Sequence, residues 1–389
     1  MEQPRGDDPG SRVQRDDTHV NPMANATRLQ EIELARRAVL AEGRSATDVL
    51  VDGWYDRSWI ERSWRRCLAQ GLQPDQRVAF DVLPAQALRR TEEASHSLLQ
   101  AARPVMSRLA RAIAGSRYFA VLTDAQGTVV GVDGAIDRSD RRAQLITRVG
   151  VDLSERAVGT TAIGAALAEL QPVWLHRGEH FFEDTSCYSC AGAPLVGPDG
   201  RTVGMLDLTG IDAAERPELK HLVAQSARSI ENALALACPH ALVLRLNWPG
   251  RSFGEDDGLL CLDRDGGVVS LNPGARQMLG PTGSGSGPVH CAELFATGWE
   301  AFFDLARRDA AAIEVPMWSG LTLQVLPQRP GRPQAPRPAA TDARLPLKDL
   351  ETELIRQAVQ EARGNVMAAA RRLGISRATV YRKLGRRGR

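Results

Sequence analysis

The end of the sequence constrains the fold most. Between Gly364 and Leu384, two helix-stop and helix-start signals fall ten residues apart. Gly364 is placed to end one helix as a C′ glycine, and Asn365 to cap the next. Gly374-Ile-Ser376 makes a tight turn, and Ser376 caps a last helix, Arg377 to Leu384. Ahead of these, Leu347, Leu350, Leu354, Ile355, Ala358, Val359 and Ala362 form one apolar stripe. The middle helix holds Ala368, Ala369 and Leu373. Ala369, Gly374, Ile375, Val380 and Leu384 supply the core the short helices share. The spacing predicts an all-α helix-turn-helix unit over 347–389, whose second short helix is shaped to enter a major groove.

Charge points the same way. The 389-residue chain carries a net charge of only +2. From Pro346 to Arg389, however, 11 Lys/Arg stand against 4 Asp/Glu, a local +7. From Arg363 onward there are nine basic residues and no acidic one. A basic end on a near-neutral chain is an electrostatic footprint for phosphate. Arg377 begins the last helix, where a guanidinium can pair bidentately with a guanine edge. Thr379, Arg382 and Lys383 suit phosphate or base contacts. A solvated basic helix is the plainer alternative, and the continuity of the motif argues against it.

The first 17 residues are charged and contain Pro and Gly, unlike the apolar stretch of a secretory leader. No run approaches the roughly 18 apolar residues of a membrane helix. Six cysteines are scattered apart from one close pair, which is cytosolic usage. The expectation is a cytoplasmic chain with no membrane partner.

Residues 1–25 read as a disordered tail, 26–94 as a helical region, and 328–346 as a Pro-rich linker. Arg57 to Gln70 carries Ile60, Trp64, Cys67 and Leu68 on one helical face, and Gly71 stops it. Residues 95–238 read as helix, hairpins, helix. An amphipathic helix bears Leu98, Leu99, Val105, Met106, Leu109 and Ile113. Hairpins follow around Asp124–Gly127 and Pro198–Gly200, and a closing helix holds Leu219, Leu222, Val223, Ile230 and Leu234. A smaller unit, 250–327, has a hairpin over Leu259–Leu271, a short helix over Asn272–Leu279, a Gly/Ser-rich loop at Pro281–Pro288 and a late strand at Leu321–Leu326. The fold class expected is α+β multidomain, with antiparallel sheets and a separate all-α end.

These motifs resemble known families. Gly364 to Leu384 resembles the Fis-type helix-turn-helix that ends bacterial enhancer-binding activators. Met367 departs from it, standing where that family usually has Ser or Thr. The resemblance implies that Asn365, Ser376, Arg377, Thr379, Arg382 and Lys383 face double-stranded DNA. It also implies a homodimer on a near-palindromic operator, paired through the helix Leu347 to Ala362. Ile60 to Asp75 resembles the N-terminal signature of the acetoin catabolism regulator group. Gly159-Thr-Thr-Ala-Ile-Gly164, Glu179-His-Phe181, Cys190-Ala-Gly-Ala-Pro194 and Gly204-Met-Leu-Asp-Leu-Thr-Gly210 resemble that group's GAF sensor domain, and 250–327 resembles a PAS-type domain. Those activators usually carry a central ATPase. No G-x-x-x-x-G-K-[ST] phosphate loop occurs in this sequence. The expectation is a regulator that acts without ATP hydrolysis, through ordinary RNA polymerase contacts or by occupying its site.

Two readings of the sensor interior stay open. The spacing His176-x3-His180-x6-Cys187-x2-Cys190 suits zinc or iron, or a thiol switch. The alternative is a pocket for a small effector walled by Tyr118, Trp174, His176, His180, Phe181, Tyr188 and Cys190, with no cofactor required. The resemblance implies small ketones, alcohols or aromatic catabolites. Two other classes compete with a regulator: a Cys-dependent GAF-type reductase using Cys187 and Cys190, and an architectural DNA protein. No acid–base constellation surrounds the cysteines, and some 250 residues of sensor-like sequence exceed what architecture needs.

Overall fold

A computed structural model describes residues 22–48, 50, 57–280, 289–308, 311–330, 347–362 and 364–384. Most of the expected tail, the Gly/Ser-rich loop and nearly all of the Pro-rich linker lie outside the described residues. The expected tail, 1–25, overruns the start of the first helix at Pro22.

Four helices come first: α1 (Pro22–Arg36), α2 (Ser58–Ala69), α3 (Ala85–Ala94) and α4 (His96–Ile113). Strands β1 (Tyr118–Asp124) and β2 (Val129–Gly134) follow, then short helices α5 (Arg141–Ile146), α6 (Glu155–Val158) and α7 (Ala162–Glu169). Strands β3 (Val173–His176), β4 (Tyr188–Val196) and β5 (Thr202–Ile211) lead into α8 (Leu219–Ala237). The five strands form one antiparallel sheet in the order β2-β1-β5-β4-β3.

This sheet is covered on both sides, so β1 is buried at every position. Side chains alternate between the faces. Tyr118, Ala120, Leu122, Leu206 and Leu208 pack beneath α4 and α8. Phe119, Val121, Cys190 and Met205 pack on the other side with residues of α7, α2 and α1. Ile32, Ala35, Ile60 and Trp64 belong to that same cluster. The expected division between a helical region, 26–94, and a sensor, 95–238, therefore does not hold as a packing boundary. The apolar face of α2 needs a cover, and the sheet unit supplies it.

The second unit comprises β6 (Leu242–Asn247), β7 (Gly258–Leu262), β8 (Val268–Leu271), α9 (Pro273–Leu279), α10 (Cys291–Leu294), α11 (Glu300–Arg307), β9 (Ile313–Pro316) and β10 (Thr322–Gln328). Its sheet is antiparallel, ordered β8-β7-β6-β10-β9. Counted from β7 with β6 placed last, this becomes 2-1-5-4-3, the order of the first sheet. The two sheets are circular permutations of one arrangement. β6 precedes the 250–327 stretch outlined from sequence, yet it holds the middle of the sheet. All six of its residues are buried; Leu244-Arg-Leu-Asn247 does alternate, but only pairing with β7 and β10 shows which unit the strand belongs to.

Three helices close the chain: α12 (Leu347–Glu361), α13 (Val366–Leu373) and α14 (Arg377–Leu384).

Candidate functional site

The α13–α14 pair forms as its punctuation dictates. Gly364 takes φ 82° and Gly374 takes φ 68°, left-handed conformations that suit glycine. Asn365 Oδ1 accepts the backbone N–H groups of Met367 and Ala368, each at 3.1 Å. Ser376 Oγ accepts the N–H of Thr379 at 3.1 Å. Ile355, Ala358, Ala369, Ala370, Leu373 and Val380 make the shared core, with Ile375 and Leu384 packed against it. The side chains of Leu347 and Leu350 lie outside the described residues.

Leu354 behaves differently from its neighbours. It joins the apolar cluster of α4 and α8 rather than the helix-turn-helix core. On α8, His221 lies in the field of Glu361 and Arg372. Arg372 pairs with Glu361 at 2.7 Å.

The outer surface of the motif is cationic. Arg371, Arg377 and Arg382 are exposed, as are Asn365 and Ser376, while Thr379 and Lys383 are half-buried. Of the six residues expected to face nucleic acid, Lys383 is half-buried near the end of α14, and the other five fall into two groups. Asn365, Ser376 and Thr379 are engaged in capping and set the helix ends. Arg377 and Arg382 project from α14 as charge.

The sensor interior differs more from expectation. On β3 and β4, His176 registers with Ser189, and Leu175 with Cys190. Cross-strand partners share a face and successive residues do not. His176, Trp174 and Tyr118 therefore lie on the α4/α8 face, and Cys190 and Tyr188 on the opposite one. Phe181 packs on the Cys190 side, and the His180 ring centroid lies 6.4 Å from that of Tyr188. The seven side chains expected to wall one pocket are split between the two faces. His180, Phe181, Tyr188 and Cys190 share one; Tyr118, Trp174 and His176 share the other.

The same register separates the four expected metal ligands. His176 and Cys190 cannot converge across a sheet. Among the described residues, no three His, Cys, Asp or Glu side chains come together as a metal group. His176 Nδ1 is instead 2.8 Å from Ser189 Oγ, and His180 Nδ1 is 2.9 Å from the Arg177 carbonyl oxygen. Burial pushes both imidazoles down to about 4, so they are neutral at pH 7. Cys190 is fully enclosed, and burial drives its thiol well above the usual range, the opposite of a nucleophilic cysteine. Cys187 is half-buried.

Sequence reasoning passed over the role of Glu179. It is wholly buried and pairs with both Arg28 and Arg57. Burial works to raise its carboxyl, but the Arg57 and Arg28 guanidiniums outweigh it and hold Glu179 below the usual range. Its Oε2 also accepts the His176 N–H at 2.7 Å. Trp64 Nε1 donates to the Glu179 carbonyl at 2.9 Å, and Arg36 donates to the carbonyls of Gly178, His180 and Phe181. The N-terminal helices thus clamp the loop 176–181. The signal lay in two quoted motifs, Ile60 to Asp75 and Glu179 to Phe181, which turn out to be partners. Gly159 is explained by the same loop. A Cβ there would come within 2.9 Å of both Phe181 and Phe182, and its φ is +66°.

Residues 33–232 match the family described as MimR, N-terminal domain, which is just over half the chain. Residues 346–386 match the family described as Bacterial regulatory protein, Fis family. The Acetoin catabolism regulatory protein of Cupriavidus necator is 33% identical over 294 residues, covering 73% of this chain and 42% of that protein. The Acetoin dehydrogenase operon transcriptional activator AcoR of Bacillus subtilis is 30% identical over 193 residues, 49% of this chain and 32% of that protein. The Propane 2-monooxygenase operon transcriptional activator MimR of Mycolicibacterium goodii is 27% identical over 269 residues, 68% of this chain and 43% of that protein. The chain thus spans less than half the length of these curated relatives. Among solved structures, the E. coli DhaR(N)–DhaL complex matches with TM-score 0.42 and 14% identity, over 69% of this chain and 99% of that one. The clamp between the N-terminal helices and the first sheet falls inside the matched 33–232 segment, and the capped helix pair inside 346–386. The chain belongs to the MimR N-terminal domain family, among relatives of the acetoin catabolism regulator type, and carries a Fis-family helix-turn-helix.

Proposed function

We propose that the chain is a site-specific, DNA-binding transcriptional regulator whose GAF-like first unit senses a small molecule. The exposed cationic surface of α14, Arg377 above all, carries the reading. Its helix N-terminus and guanidinium suit a base edge, while Arg371 and Arg382 suit phosphates. Capping by Asn365 and Ser376 makes that surface rigid before binding.

The wider reading includes a homodimer on a near-palindromic operator and direct contact with RNA polymerase, without ATP hydrolysis and without a required cofactor. The names of the relatives favour small oxygenated catabolites as signals. The second, PAS-like unit serves here as a packed companion of the sensor. The packing of Leu354 of α12 in the apolar cluster of α4 and α8 supports a route from sensor to DNA: an effector that shifts those helices would move α12, and the helix pair packed on it, with them.

The test is anisotropy on DNA from the region upstream of the coding sequence, across a salt series, beside Arg377→Ala. The expected result is salt-sensitive binding and an Arg377→Ala loss of about 1–3 kcal/mol with relaxed sequence preference. Binding that is equally tight on unrelated DNA, in wild type and variant alike, would leave only the architectural reading.

A further inference from the structure

The first sheet holds a polar group that neither the fold nor the DNA-binding reading uses. Asp207 lies on β5, two residues after Met205, and so shares its face, the one packed with α7 and Phe181. It is fully buried. The Thr209 hydroxyl donates to Asp207 Oδ2, and Thr209 Oγ1 lies 3.6 Å from Cys190 Sγ. Asp207 Oδ1 has no hydrogen-bond partner among the described residues. A buried acceptor left unpaired costs about 1–3 kcal/mol, and each such group in a native protein asks for a reason.

The space around it has an unusual filling. Asp207 registers with Gly192 on β4, so no side chain stands opposite. The end of Met205 occupies that space: a Cβ at position 192 would fall 2.5 Å from its methyl. Methionine is unbranched and adaptable, and gives up volume more readily than any branched residue. The remaining wall is apolar: Val121, Ile163 and Phe181 belong to the same cluster.

We infer that Asp207, with Thr209 and Cys190 beside it, is the polar end of the effector site and takes the carbonyl or hydroxyl of a small uncharged molecule. The inference rests on reading the first unit as the sensor, and deepens it. Charge excludes the other ligand classes. An anion would meet the carboxyl with no cation paired to it among the described residues. A cation would bring a desolvated ion pair into a wall that is otherwise apolar and would leave most of an ammonium's donors unmatched; burial, opposed only by the Thr209 hydroxyl, also pushes the carboxyl up to about 7. A protonated Asp207 donates to a carbonyl oxygen and accepts from a hydroxyl. The apolar wall takes the hydrocarbon part, in the usual division of labour of a small-molecule site.

Four probes of nearly equal size separate the possibilities: 2-butanone, 2-butanol, sec-butylamine and propanoate, titrated calorimetrically into the full chain at pH 6.5. The neutral pair binds, and the amine and the acid do not. Asp207→Asn keeps a donor and an acceptor in place and binds within a few-fold of wild type. Asp207→Ala loses roughly tenfold or more, the scale of one buried hydrogen bond. Thermal unfolding of both variants, run in parallel, shows that they are folded. Preference for sec-butylamine or propanoate overturns the inference, as does silence with all four probes or undiminished affinity in Asp207→Ala. The sensor reading fails by a different observation: a probe that binds, in any variant, and leaves DNA affinity unchanged.

Discussion

The two sheet units share one strand order by circular permutation, and each encloses one aspartate almost completely, Asp207 in the first and Asp257 in the second, but these two carboxylates live differently. In the second unit, Asp257 is surrounded by donors. Arg245 Nε reaches it at 2.9 Å, Asn247 Nδ2 at 3.0 Å and the Gly254 N–H at 2.9 Å. In the first unit, Asp207 receives Thr209 on one oxygen and nothing on the other. The histidines repeat the contrast. His176 and His180 are enclosed, each with an unpartnered Nε2, while His240 and His290 of the second unit are only half-buried. A satisfied buried network holds a fold in one arrangement; an unsatisfied one lowers stability unless something else is bound. Around Asp257 the second unit is satisfied; around Asp207, His176 and His180 the first keeps polar groups in reserve.

Substitution at the two aspartates breaks this comparison most directly. Asp257→Ala leaves Arg245 buried without its partner and is expected to cost about 3–5 kcal/mol. Asp207→Asn removes no ion pair and is expected to change stability by less than about 1 kcal/mol. Urea unfolding of the full chain reads both, and equal losses would erase the distinction. The same unfolding on Glu179→Ala places the clamp with Asp257. It leaves Arg57 without its carboxylate and Arg28 with Glu31 and Glu215, and a loss of several kcal/mol is expected, tempered because both guanidiniums reach solvent.

Acid sharpens the contrast next. His176 and His180 have folded-state values of about 4, below the ordinary 6.5, because burial disfavours the charged ring. Their contribution is therefore fully present above 6.5 and is lost as pH falls through about 4. The first unit should weaken across that window by up to about 3 kcal/mol per histidine, at about 1.4 kcal/mol per pH unit per group. Hydrogen exchange of the full chain, resolved by segment, checks it: protection in β3–β5 should fall before protection in β6–β10. Simultaneous loss would mean that the histidines do not set the acid response.

The smallest expected effect concerns helix caps. Asn272 caps α9 through Ala275 N–H at 2.7 Å, and also joins Leu259, Asp257 and Asn232. Thr161 caps α7 only through the Gly164 N–H at 3.2 Å. Asn272→Ala should cost about 2 kcal/mol, and Thr161→Ala about 1 kcal/mol or less. A reversed order in thermal unfolding would show that the second unit is the softer of the two.

What the sequence determined by itself was local. Gly364, Asn365, Gly374 and Ser376 act within a few residues of themselves, so the caps and the turn of the helix-turn-helix were legible, and so was its charge. The faces of α2 and α4 were legible for the same reason: helical periodicity is written in neighbouring positions. What only the tertiary structure decided was non-local. Register placed Trp174 and His176 on the face opposite Cys190, and a shift of one residue would have exchanged them. Pairing with β7 and β10, both later in the chain, decided which unit β6 belongs to. The meeting of Arg28 and Arg57 with Glu179, and of Gly192 with Asp207, depends on how strands and helices from distant parts of the chain pack, and no neighbouring residue carries that information.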